Sequence, residues 1–153
     1  MTELVDIIKV IIFSMLPVVE IRGGIPLGIS LGFSPAEAYL FSALGNIAVI
    51  FPIIIILNAL DPYFRKIPII KLIYAKSIDK VLARRDRYLK YGKYALFLFV
   101  AIPLPTTGAW TASLASYIFQ IPKRDSLWII SVGVLIAGII VLLISQTTFS
   151  LFN

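Results

Sequence analysis

The chain has 153 residues, of which 59% are hydrophobic and 14% charged, and a formal net charge of +6. Soluble domains run at about 45–50% apolar and about 25% charged residues, so this composition excludes an ordinary soluble domain, a disordered chain and a coiled coil, and points to a small integral membrane protein. With no cysteine and no histidine, disulfide scaffolds, the usual zinc sites and histidine-dependent nucleophile systems are excluded as well.

From the amino terminus, the first apolar region covers 4–33 and is interrupted near its middle by Pro17, Glu20, Arg22, Gly23, Gly24 and Pro26. Proline removes a backbone donor and disfavours helix in the residue before it, so this stretch is expected to unwind and leave two arms too short to span singly. Broken helices at membrane depth survive only where the freed backbone is buried in protein or lines a wet cavity, which predicts a re-entrant hairpin. Met1 to Lys9 is acidic rather than basic, with no small-residue cleavage site after the apolar stretch, so the segment is not read as a cleaved signal peptide. Next comes a charge-free run from Ala38 to Leu60, opened by Ser34-Pro35. It exceeds the roughly 20 residues that cross a hydrocarbon core and predicts a transmembrane helix over 36–60.

Residues 61–93 carry ten basic side chains against three acids. Apolar residues recur there at helical spacing on a different face from Lys76, Lys80, Arg84 and Arg87, the pattern of a basic amphipathic helix lying on the cytoplasmic interface against anionic membrane lipids. Because this stretch sits between membrane segments, nucleic acid is not expected as a partner. The second interrupted region, 94–121, is broken by Pro103, Pro105 and Gly108 and predicts a second re-entrant hairpin. A last charge-free run, Leu127 to Phe149, follows Asp125-Ser126 and predicts a transmembrane helix over 126–149.

The expected fold class is therefore an all-α integral membrane protein, one domain over 1–153, built as an inverted repeat of hairpin plus transmembrane helix in 1–60 and 94–153. Phe33-Ser34-Pro35 recurs as Phe119-Gln120-Ile121-Pro122 at the corresponding corner. A single span separates the hairpins, so they enter from opposite faces. The basic loops are then cytoplasmic by the positive-inside rule and both termini external.

Two ionisable residues in one membrane hairpin, Glu20 and Arg22, each cost about 2.5–3.5 kcal/mol on insertion scales, so they need partners and usually mark a functional pathway. Gly23 and Gly24 let the backbone turn, so that an arm beginning near Ile25 presents its helix amino terminus at mid-membrane. Thr106, Thr107 and Gly108 do the same in the second hairpin, and Trp110 is either a wall of the site or packing. Arg22, two helix termini and the threonines suit a phosphate or carboxylate, while Glu20 is the candidate for proton or cation coupling. The alternative is architectural: Glu20 and Arg22 pair with each other and with loop carbonyls, pinning the turn with no ligand. Asn46 and Asn58 read as interhelical hydrogen-bond glue, and Gly28 with Gly32 as a small-residue pair for close helix contact and a homodimer. No paired carboxylates, metal set or nucleophile with its base is present, so no enzyme activity, catalytic residue, metal or cofactor is expected.

The segments L-P-V-V-E-I-R-G-G-I-P-L-G-I (16–29) and P-L-P-T-T-G-A-W-T (103–111) resemble the small multidrug export family of prokaryotes, over nearly the whole chain. More distantly, K-Y-G-K-Y-A-L-F-L-F-V-A-I-P-L-P (90–105) is similar to the entry into the second hairpin of the DedA superfamily of membrane transporters and scramblases. The resemblance implies a prokaryotic plasma membrane, inverted re-entrant hairpins, a membrane acid coupled to the proton motive force, which Glu20 matches, and arginines on a phosphate. Arginines expected around the second hairpin are absent, with Val100, Ala101 and Thr106 in that region. The function expected first is a proton-coupled secondary transporter or flippase of an amphipathic anion such as a polyprenyl or other lipid phosphate. A proton-coupled exporter of lipophilic cations and a non-transporting membrane scaffold are the alternatives.

Overall fold

A computed structural model describes residues 2–64, 66, 85–104 and 107–152, and all its regular elements are helices. They are α1 (Thr2–Met15), α2 (Glu20–Ser30), α3 (Pro35–Ala59), α4 (Asp61–Phe64), α5 (Arg85–Ala101), α6 (Ala109–Ile118) and α7 (Lys123–Phe152). Two of them, α3 and the Lys123–Thr147 part of α7, are long and apolar enough to cross a membrane.

Local chemistry explains where α3 begins. The Ser34 hydroxyl accepts from the Glu37 amide while the Glu37 carboxylate accepts from the Ser34 amide at 2.8 Å, a reciprocal capping box with Pro35 at the first turn. In α7, Ile130, Val134, Ala137 and Val141 form a buried stripe, yet the opposite stripe of Trp128, Val132, Leu135, Ile139 and Leu143 is exposed and equally apolar. An outer face of that kind is built for lipid rather than water.

Contacts fix the register of the bundle. Gly24 lies against Ser42 and Gly28 against Ala38, so α2 runs antiparallel to α3, and Gly45 lies against the Ile11 carbonyl of α1. The Tyr39 hydroxyl donates to the Leu135 carbonyl at 3.0 Å, and Asn58 shares a cavity with Lys123 and Ser126, which makes α3 and α7 antiparallel. Val100 packs at Gly133 and Lys93 pairs with Asp125 at 2.7 Å, so α5 runs alongside α7 in the same direction. The Tyr117 hydroxyl donates to the Asp61 carboxylate, which sends α6 back toward the carboxyl end of α3. As a result the chain breaks between α1 and α2 and between α5 and α6 both fall near the middle of α3 and α7. The α1–α2 pair lies along the amino-terminal half of α3 and the α6 arm along its carboxyl-terminal half.

Two corners are built alike. After α2, the Phe33 amide donates to the Gly28 carbonyl and the Gly32 amide to that of Ile29; after α6, the Ile121 amide donates to the Ser116 carbonyl and the Gln120 amide to that of Tyr117. Each is a Schellman closure with its pivot in the left-handed region, Gly32 at φ 94° and Gln120 at φ 54°.

Several expectations need correction. The first break is at 16–19, not at the glycine pair: α2 starts at Glu20 and runs unbroken through Gly23, Gly24 and Pro26. These glycines thin the helix for close packing, since a Cβ on Gly24 would strike Ser14 and Ser42. Gly28 serves close contact with Ala38 of α3, and Gly32 ends α2. No boundary falls at 93/94, because α5 begins at Arg85 in the basic segment and continues into the second interrupted region. The last helix starts at Lys123, directly after Pro122, rather than at 126. Lys76, Lys80, Arg84 and Thr106 lie outside the described residues, and so does the side chain of Arg87.

Candidate functional site

The two breaks meet each other. Glu20, 5% exposed, is the first residue of α2 and has φ 50°, and Val18 beside it has φ 77°. Left-handed backbone at non-glycine residues costs about 1–2 kcal/mol each, so partners must hold this turn in place. Those partners come from the second break, some ninety positions away. The Glu20 Oε1 accepts from the Trp110 amide at 3.2 Å, in the first turn of α6. In return the Trp110 indole Nε1 donates to the Met15 carbonyl at 2.9 Å, where α1 ends.

Arg22 completes the junction. One guanidinium nitrogen donates to the Leu104 carbonyl, another donates to the Thr107 hydroxyl at 3.2 Å, and the latter stands 3.8 Å from the Glu20 carboxylate. The Thr107 hydroxyl in turn accepts from the Leu104 amide at 3.1 Å. Gly108 gives the Glu20 carboxylate room. Its backbone, at φ 157° and ψ −164°, lies in a region that is essentially glycine-only, and a Cβ there would fall inside the carboxylate.

An amino-terminal helix end carries partial positive charge and unpaired N–H groups, which favour an anion. At α6 that anion is Glu20 itself. Of the residues expected at the site, Glu20, Arg22, Thr107, Gly108 and Trp110 are brought together. Gly23 and Gly24 stand one turn along α2, packed against Val19 and against Ser14 and Ser42 respectively. The partners of Glu20 and Arg22 were legible only as chemistry, since nothing in spacing ties Glu20 to Trp110.

Both asparagines differ from the glue expected of them. Asn58 Nδ2 donates to its own helix, at the Ile54 carbonyl, 2.7 Å away. Asn46, 1% exposed, has neither its Nδ2 nor its Oδ1 paired, and the buried Ser42 hydroxyl is unpaired too. Only its place in an apolar span marks Asn46 in the sequence. Elsewhere, a cavity of about 230 Å³ opens where α3, α6 and α7 converge, lined among others by Asn58, Ser113, Tyr117, Gln120 and Lys123. Among the described residues, no group of histidine, cysteine, aspartate or glutamate is placed to hold a metal.

The family model described as "Putative small multi-drug export protein" matches residues 20–140, most of the chain including α2, α3 and the second break, and the chain belongs to that family. No curated protein matches it, and no solved structure does.

Proposed function

We propose that this member of the small multi-drug export family is a proton-coupled secondary transporter that exports lipophilic cations, with Glu20 as the group that proton and substrate share. The observation that carries this reading is the Glu20 carboxylate seated on the first turn of α6 beside Arg22. A proton or an organic cation that takes the carboxylate removes the charge holding that helix end, and frees the second break from the first. Such a contact can alternate between locked and open, which is what a carrier needs.

The mid-length position of both breaks, with arms lying along opposite halves of α3, supports two re-entrant hairpins dipping in from opposite membrane faces as an inverted repeat. The twin Schellman corners support the same repeat. With the basic segment cytoplasmic, the termini are external and the protein sits in a prokaryotic plasma membrane, touching anionic lipid headgroups. The homodimer stays part of the proposal, because two spans and two hairpins bury little by themselves.

A second reading, carriage of a lipid phosphate, rests on Arg22, whose side chain remains 19% exposed at the junction. Its anion would have to displace Leu104 and Thr107 from the guanidinium, and Glu20 already occupies α6, so the cation reading ranks first. Thermal stabilisation in detergent separates the two. A ligand at a hundredfold excess over Kd adds about 2.7 kcal/mol to the folded state. Tetraphenylphosphonium should stabilise wild type and Arg22→Gln but not Glu20→Gln. Stabilisation by undecaprenyl phosphate that is lost in Arg22→Gln would instead favour the lipid-phosphate carrier, and stabilisation by neither would overturn both.

A further inference from the structure

Asn46 poses a specific problem of charge and hydrogen bonding. It sits in the middle of α3, buried, with an unpaired donor and an unpaired acceptor on one amide, and Ser42 one turn away adds an unpaired hydroxyl. A buried polar group without a partner costs about 1–3 kcal/mol, so three such atoms within one turn of helix are a costly arrangement unless something meets them. A bare cation would satisfy the Oδ1 and leave the Nδ2 stranded; a bare anion would do the reverse. Only a group that both donates and accepts serves both, and water does so with two of each.

The neighbours of Asn46 give the site its place. The α2–α3 register, Gly28 at Ala38 and Gly24 at Ser42, continues to put Glu20 level with Asn46. Around the helix, Asn46 lies about 40° from Ser42, which faces α2, toward the side where Ile50 and Ile54 join the core shared with α6 and α7. Above it, the Ser14 and Ser42 oxygens crowd the same point over Gly24, and Ser14 donates its proton to the Val10 carbonyl at 2.8 Å, leaving its lone pairs available. A short polar track thus descends inside the bundle from Ser14 and Ser42 to Asn46 at the depth of the Glu20 carboxylate.

We infer that Asn46 and Ser42 hold buried water at mid-span, and, resting on the proposed role of Glu20, that this water passes the coupling proton to its carboxylate. The charged group facing Glu20 is Arg22, on its own helix. Of the charged residues of α1 and α3, Glu3, Asp6 and Glu37 lie toward the far ends of those helices and Lys9, midway along α1, is exposed and paired with Asp6 at 2.7 Å; Lys123, Arg124 and Asp125 lie at the far end of α7, and α6 has none. Tyr39 stands two turns from Asn46 with its hydroxyl engaged by Leu135.

The test is NMR of the full chain in micelles with asparagine side-chain amides labelled with ¹⁵N. The chain has asparagine only at Asn46, Asn58 and Asn153. A rotating-frame cross-peak of cross-relaxation sign between the Asn46 amide protons and water is expected, in wild type and in Glu20→Gln alike. Asn46→Gln assigns the signal; should that variant fail to fold, Asn58→Gln and Asn153→Gln assign it by elimination. An Asn46 amide with no such cross-peak would overturn the water site while leaving the role of Glu20 standing. For the proton route, Asn46→Leu in proteoliposomes should lose pH-gradient-driven tetraphenylphosphonium efflux while still binding the cation. Unchanged gradient-driven efflux in Asn46→Leu would overturn the route, and unchanged efflux in Glu20→Gln would instead remove the reading on which it rests.

Discussion

Gly108→Ala tests the junction at the point where the geometry is tightest. Two costs are expected. The first is backbone strain, since φ 157° with ψ −164° is a conformation kept for glycine, at about 1–3 kcal/mol. The second arises because the new Cβ occupies the position of the Glu20 carboxylate, which must leave the Trp110 amide and uncap α6, at about 0.5–2 kcal/mol. Together they come to about 1.5–5 kcal/mol, a severe loss for one methyl group. Equilibrium unfolding in detergent by SDS titration, followed by tryptophan fluorescence, measures this for wild type, Gly108→Ala, Glu20→Ala and the double variant. The strain is present in both backgrounds and cancels in the cycle, whereas the carboxylate clash exists only when Glu20 is present. A coupling energy of about 0.5–2 kcal/mol is therefore expected. Additive effects within about 0.3 kcal/mol would refute the argument that Glu20 holds α6.

Three further outcomes follow from the fold. Ser34→Ala removes the capping box of α3 and should cost about 1 kcal/mol in the same unfolding assay, with Glu37→Gln milder because a glutamine can still accept from the Ser34 amide. Gly32→Ala and Gly28→Ala should both destabilise, for different reasons. At Gly32 the space is open and only the positive φ matters, about 1 kcal/mol, which Gly32→Asn should largely recover; at Gly28 a Cβ would lie 2.7 Å from that of Ala38 and 3.0 Å from its Cα, so Ala38→Gly should relieve the loss only in part. The cysteine-free chain lets single cysteines at Ser34 and Lys123 report topology, and they should label from opposite sides of the membrane; labelling from one side would sink the opposed-hairpin arrangement.

Much of this architecture is written in the linear pattern. Charge-free runs locate α3 and α7 because water and lipid disagree so strongly over charged residues, and Ser34-Pro35 marks the start of α3 because a cap and a proline have few other uses there. Pro103, Pro105 and Gly108 mark the second break for the same local reason. The first break lies before the position the sequence predicts, because glycine has two roles that look alike in sequence. A glycine pair can turn a chain, but here Gly24 lets α2 approach Ser14 and Ser42 and Gly23 lies against Val19, while Val18 and Glu20 take up the left-handed turn. Such strain is affordable only through tertiary contacts, Trp110 to Met15 and Arg22 to Leu104, that no local pattern announces. For the same reason the sequence suggests an anion site at the helix ends and cannot reveal that Glu20 fills one of them. Asn46 shows the converse: its type suggested a bonded pair, and the packing leaves it unpartnered.

The most direct measurement of the transport account is tetraphenylphosphonium efflux from proteoliposomes under an imposed pH gradient, for wild type and Glu20→Gln, with a thermal melt to establish that both are folded. Gradient-driven efflux by wild type that disappears in folded Glu20→Gln is the predicted result. Efflux that responds to the gradient equally in both proteins would contradict it, and would leave Glu20 as a cap of α6 alone.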